Sequence, residues 1–477
     1  MKPDDFNNPL LSAMTEKQKI AHLYRRSGFG LSIRESATGS LQDAIEHVLN
    51  RNQQWEELFL QGEERVTTGK LIVMSPEDRK EIIQDLAANV KKLNLEWIRL
   101  MGKAEGQLRE KMALFFHGHF AVRVRKFHHV EDYINTIRKH ALGYFGDMLM
   151  AVSKEPAMLR FLDNVQNKKN SPNENFAREV MELFTLGRGN YTENDIKEAA
   201  RAFTGWGISD EDEFELKDNQ HDSGTKTVFG KTGNWEGEDV IRMILEQPQT
   251  AYFVARKVYK FFVSEQVDEQ RIKMLSDIFF KSNYHIPTLM KVIFSADWFY
   301  DEKQVGCLIK SPVELIVSLN RTFGISYANS QPLLAVQRVL GQTLFFPPNV
   351  AGWAGGRNWI DNSTLITRLN LPKRLAEAGE LDLSYKNNMD DENPNEAEKP
   401  RQKKTLECSF NWELFLQKFE SIPETEHWKT LCELLLVGTI YLSEPDYLLK
   451  FISGKSHSEK LKQQALYITR TPEFQLV

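Results

Sequence analysis

The sequence predicts a mainly α-helical fold, a large multi-helix body with a small inserted β-hairpin. Three observations carry that expectation. Helix start signals recur at short intervals, either Ser or Thr three residues ahead of an acidic partner or Pro at the first helical position. Between them apolar residues return at helical spacing. One stretch, 206–230, breaks the pattern with strand-like alternation and turn residues.

In chain order, Thr15 is placed to cap a helix through Arg26 that stops at Gly28, Ser40 with Asp43 forms a capping box for 41–50, and Ser75-Pro76 opens a long helix toward Met101. A fourth helix, about 107–116, runs into Phe116-His117-Gly118-His119-Phe120, where glycine is expected to end it between the histidines. Helices are then expected over 130–141, 144–152, 156–162 and 174–185. Leu186 to Asn190 is turn chemistry, and Thr192 with Asp195 caps a partner helix ending at Gly205, so the two should form a helical hairpin. After the β-hairpin, helices resume at Glu238 and continue over 248–263, 267–282, 286–295, 311–322 and 332–341. Phe345 to Ile360 is a long Pro, Gly and Trp loop, either a packed cover or the lip of a site. The body is thus expected to span 1–385. Residues 386–404 hold almost nothing apolar and are expected to be a mobile insertion, and 405–477 return to helical periodicity and should dock on the body.

Composition narrows the function classes. A chain of 477 residues has ample material for a core, and its net charge of -5, from 61 basic and 66 acidic residues, is of mixed sign, which argues against a nucleic-acid partner. Cys307, Cys408 and Cys432 are scattered without CxxC spacing, so neither a disulfide framework nor a thiolate zinc site is expected. Apolar runs such as Leu434 to Ile440 are too short to span a membrane. Met1 to Ser12 lacks the features of a signal peptide, and the cytoplasm is the expected compartment.

Four clusters could carry chemistry. Asn175, Arg178, Glu179 and Glu182 fall on one face of a helix whose remaining circumference is apolar, so the helix should be buried and its stripe satisfied inside the protein. One Arg against two Glu leaves a carboxylate that needs a cation, a metal or a raised pKa. His22, Arg25 and Arg26 share another helical face, a fork suited to carboxylate or phosphate, or to the stripe's own carboxylates. His117 and His119 could reach one divalent metal from a helix end, or could be packed, hydrogen-bonded histidines. His221, Asp222 and Lys226 sit in one glycine-containing loop that could present acid, base and anion clamp, or simply close the hairpin. Nucleophile-elbow, P-loop and dinucleotide fingerprints are missing.

Taken together, His22 to Gly30, His117 to Phe120, Asn173 to Gly187, Tyr191-Thr192, Thr204-Gly205-Trp206, His221-Asp222, Lys310 to Glu314, Asn349 to Trp353 and Thr471 to Gln475 resemble the bacterial domain-of-unknown-function 1800 family over almost the whole chain. The resemblance carries no reaction with it. Gly118 stands where similar sequences often have Asn and Phe184 where some have His, and many similar proteins carry an export signal. Two readings follow. One is a hydrolase-like enzyme acting on a polar or anionic substrate, with Glu179, Glu182, His221 and Asp222 as acids and bases, His22, Arg25, Arg26, Asn175, Arg178, Lys226, Asn349 and Trp353 holding the substrate, and His117 and His119 as ligands of a divalent metal. The other is a noncatalytic binding or assembly protein in which the same residues form a structural network and the Trp-Gly loop meets a glycan or a partner.

Overall fold

A computed structural model describes residues 14–35, 39–50, 55–103, 105–377, 380–381, 404–405, 407–437 and 442–477. The chain is mainly helical with small β-hairpins. Most of the expected starts are realised by the caps that announced them. Thr15 and Gln18 form a capping box for α1 (Glu16–Ser27). Ser40 accepts from the Asp43 amide at the head of α2 (Leu41–Asn50), and Ser75 does the same for Asp78 before α4 (Pro76–Lys103). Between them lies α3 (Thr68–Val73), which sequence periodicity does not reveal because none of its residues is buried.

The centre of the molecule is α5 (Gln107–His119), buried on nearly every side from Leu108 to His119. It continues through both histidines, so the expected stop at Gly118 is corrected. Packing from all sides outweighs a single internal glycine, whose cost is roughly 1 kcal/mol. Around it follow α6 (Phe127–His140), α7 (Phe145–Lys154), α8 (Pro156–Phe161) and α9 (Asn175–Glu179), which widens into a π-helical turn over Val180–Thr185. Then α10 (Glu193–Ala202) starts on the Thr192–Asp195 capping box. In place of one hairpin there are two, β1 (Trp206–Ile208) with β2 (Phe214–Leu216) and β3 (Lys226–Val228) with β4 (Lys231–Gly233).

Helices α11 (Gly237–Leu245), α12 (Pro248–Phe262), α13 (Glu269–Lys281), α14 (Ile286–Ser295), α15 (Pro312–Phe323) and α16 (Pro332–Leu340) match the expected series. Helix α17 (Asn362–Ala376) was not anticipated; it contains Pro372 and starts on a capping box of Asp361 and Thr364. The insertion expected at 386–404 lies outside the described residues except for Lys404, which with Thr405 pairs against Glu380 and Leu381. The last helices are α18 (Trp412–Gln417), α19 (His427–Leu435), α20 (Asp446–Ile452) and α21 (His457–Thr469). Phe323 of α15 meets Phe410, Trp412 and Phe415 at 5.2, 5.4 and 5.1 Å between ring centres, and Leu308 exchanges backbone hydrogen bonds of 3.3 and 2.8 Å with Val477. These contacts lay Phe474 and Val477 beside Lys310 at the entrance to α15. Among the described residues no helix is long and apolar enough to cross a membrane.

Candidate functional site

The N-terminal fork opens into a pocket rather than onto the α9 stripe. Arg25 donates to the Leu434 carbonyl at 2.9 Å, and Arg26, buried, donates to the carbonyls of Gln304 and Phe262 and to Cys307 Sγ. His22 is buried against the rings of Phe299 and Tyr300, at 4.9 and 5.9 Å. Burial, with Arg26 and Arg25 adding repulsion, holds its imidazole well below the usual histidine range. The fork therefore divides: two members are locked in the core, and only Arg25 reaches open space.

That space is walled by the Gly28 to Ser32 turn, α5, α15 and the C-terminal segment, and encloses a cavity of about 30 Å³. Among the described residues Arg25, Lys111, Lys310 and Lys418 line it, against one acidic side chain, Glu314. Glu314 doubles as the capping-box partner of Ser311, whose amide it accepts at 2.6 Å, and it takes the Lys111 ammonium. Burial pushes Glu314 up, and Lys111 with the Ser311 cap more than offsets it, leaving it below the usual carboxylate range. The other cations donate to carbonyls: Lys310 to Phe474 at 2.6 Å and Lys418 to Glu35 at 2.7 Å. The Glu35 carboxylate itself receives Arg321 at 2.8 Å. Lys310 is only 6% exposed, and burial, followed by Arg25 and other cations, pulls its ammonium well below the usual lysine range.

The α9 stripe does not lie in the interior. Phe176, Ala177, Val180, Met181 and Phe184 are at most 1% exposed, while Asn175 is exposed and Arg178, Glu179 and Glu182 are half-buried. The expectation of an internal stripe is corrected: the helix buries its apolar arc and leaves the polar one at the surface, where water solvates it. Arg178 pairs with Glu193 at 2.7 Å and Glu174 at 3.0 Å, and Glu182 takes Arg188 at 2.9 Å and the Tyr191 hydroxyl. Asn175 donates to the Leu162 carbonyl at 3.1 Å. Glu179 alone of the stripe has no hydrogen bond or ion pair among the described residues, and burial with Glu182 alongside raises its pKa.

His117 and His119 point to different surroundings, because two positions along a continuous helix are roughly 200° apart. His117 accepts the Phe345 amide at 3.1 Å and lies between Trp97, Phe345 and Trp353, and burial holds it down at about 3. His119 donates to the Phe184 carbonyl at 3.0 Å and accepts from Lys257 at 3.1 Å; Lys257 also donates to the Leu183 carbonyl at 3.0 Å. These carbonyls lie in the π-helical turn. No group of three or more His, Cys, Asp or Glu among the described residues could hold a metal ion. The Trp-Gly loop closes over the same element: Asn349, exposed, shapes the turn by accepting the Ala351 amide at 2.9 Å. Gly352 sits at φ +77° so close to the Gly118 carbonyl that any side chain would collide with it.

The remaining cluster closes the hairpins. His221 donates to the Thr204 carbonyl at 2.7 Å, Asp222 receives Arg201 at 2.7 Å, and Lys226, buried, donates to the Gly224 carbonyl at 3.1 Å. Sequence reasoning missed Lys111, Lys310, Glu314 and Lys418 as site residues. A signal existed for Lys111: Arg109-Glu110-Lys111 are consecutive in a helix apolar on its other faces, so a charge had to point inward. Indeed Glu110 and Arg138 form one buried pair at 3.0 Å and Lys111 with Glu314 another.

Neither the curated proteins nor the solved structures include a match to the chain. A family model described as a protein of unknown function, DUF1800, matches residues 22–476. That match contains the fork, the His-x-His element, the α9 stripe and the Lys310 to Glu314 entrance of α15 in one continuous span, and the chain belongs to the DUF1800 family.

Proposed function

We propose that the protein binds a small anionic molecule in the pocket between α1, α5, α15 and the C-terminal segment. The observation that carries this reading is the pocket's side-chain charge: four lining basic side chains face one lining acidic side chain, and that carboxylate is already engaged by Lys111. Removing uncompensated cations from water costs several kcal/mol each, and an anion entering the pocket recovers part of that cost. The test is a thermal-denaturation screen of the purified chain against simple anions at constant ionic strength. A ligand at a hundred times its Kd adds about 2.7 kcal/mol, so a specific anion should raise the melting temperature by several degrees where a neutral sugar does not. Equal shifts with sugar and anion would sink the reading.

Glu179 favours a second reading, the hydrolase. It is the stripe carboxyl without a partner, half-buried, with a raised pKa, which are the attributes of a general base. Glu179→Gln should then abolish turnover of chromogenic esters while the melting temperature does not fall. Unaltered turnover in that variant would remove Glu179 from the chemistry.

A further inference from the structure

The anion-binding reading leaves the class of anion open, and the pocket's size and charge narrow it. Lys111 and Glu314 cancel as a pair, which leaves Arg25, Lys310 and Lys418 as three basic side chains with no acidic side chain left to answer them in the lining. Arg25 engages protein through Nη2, which donates to the Leu434 carbonyl at 2.9 Å. A monocarboxylate would offset one of the three. Two separated carboxylates would offset more, but the cavity of about 30 Å³ compares with roughly 10–15 Å³ for one water on the same measure. The negative charge must therefore be concentrated on one compact group the size of two or three waters.

Building on that reading, we propose that the occupant presents a dianionic phosphoryl group, as a phosphate monoester or inorganic phosphate, to Arg25, Lys310 and Lys418. Arg25 supplies a planar donor fork and the two lysines act as point charges, the usual division of labour around phosphate. The Gly28 to Ser32 turn brings backbone to the cavity wall, and Gly28 is so close to Gln107 that a side chain there would need α5 to move. Phe29, Leu434 and Leu435 complete the lining, and because the cavity of about 30 Å³ holds the phosphoryl group alone, the organic part of an ester extends from its mouth.

The experiment is isothermal titration of the full chain with phenyl phosphate, inorganic phosphate, phenylacetate and acetate at matched ionic strength. Phenyl phosphate is expected to bind at least tenfold more tightly than phenylacetate, and comparison with inorganic phosphate tells an ester site from a free-phosphate site. Lowering the pH from 7.5 to 5 should weaken phenyl phosphate binding about tenfold, because the second pKa of a phosphate monoester is about 6. The lining groups Arg25, Lys111, Lys310 and Lys418 keep or gain protons over that range, and protonating Glu314 would favour an anion, so the loss can arise only from the ligand. Lys310→Met should lose at least tenfold in phosphate affinity without a fall in the melting temperature of the unliganded protein. Lys418→Met, nearer solvent, provides the same readout should the first variant fail to fold. Carboxylate binding equal to phosphate, or affinity unchanged between pH 7.5 and 5, would overturn the dianion assignment and leave anion binding standing. Failure of every anion to bind at 10 mM would overturn both.

Discussion

The α9 stripe and the pocket beside α1 are both charged faces on helices with strongly apolar backs, yet the fold treats them oppositely. The stripe carries surplus carboxylate and stays near water, so Arg178 finds Glu193 and Glu174, Glu182 finds Arg188 and Tyr191, and the unpaired Glu179 remains solvated. The pocket carries surplus cation and is enclosed by α5, α15 and the C-terminal segment, so Lys111 and Lys310 are at most 6% exposed. The difference teaches that net charge on a helical face says little about function until the covering elements are known. A surplus at the surface is neutralised cheaply by solvent, whereas a surplus inside calls for a counter-charge.

The largest expected effect sharpens this contrast. Glu314→Gln keeps an oxygen for the Ser311 cap but strips the counter-charge from the buried Lys111, and should cost about 3–5 kcal/mol in chemical denaturation. Adding Lys111→Met to that variant should recover most of the loss, since it removes the buried charge left without a counter-ion. If the single variant loses less than about 1 kcal/mol, water reaches the pair and the pocket is not the enclosed region described.

On the stripe the same kind of deletion should be mild. Arg178→Ala removes an ion pair whose arginine side chain is 33% exposed and whose Glu193 partner is 68% exposed, and should cost about 1 kcal/mol or less, shrinking further in high salt. A loss approaching that of Glu314→Gln would erase the distinction between the two faces.

The smallest effect is a pH dependence. Glu179 has its folded pKa raised above the unfolded value, so its contribution is fully present below the ordinary carboxylate range and is lost as pH rises through the folded pKa. Glu179→Gln should therefore match or exceed the wild type by up to about 0.5 kcal/mol at neutral pH, with the advantage vanishing in acid. Unfolding curves at pH 4 and pH 7.5 decide it; a wild type more stable than the variant at pH 7.5 would mean that Glu179 has a partner.

Helix starts were legible because a cap is local: Thr15, Ser40, Ser75, Thr192 and Ser311 satisfy amides within three residues of themselves. The end of α5 was not, since the choice between stopping at Gly118 and continuing to His119 rests on Trp97, Phe345 and Trp353, distant in sequence, packing around His117. The fork at His22, Arg25 and Arg26 was recognisable as a spacing, and its expected answer, the carboxylates of α9, was wrong because both clusters found nearer partners.

What the sequence by itself determined is the helical class, the order of most helices, the family and the residue types able to meet an anion, because caps, apolar period and motif spacing are short-range or one-dimensional properties. The tertiary structure decided which charged face is enclosed. Desolvation depends on what is laid over a helix, and for Arg25 that is Leu434, for Lys111 Glu314, and for Lys310 Phe474, contacts that form only when segments far apart in the chain are brought together.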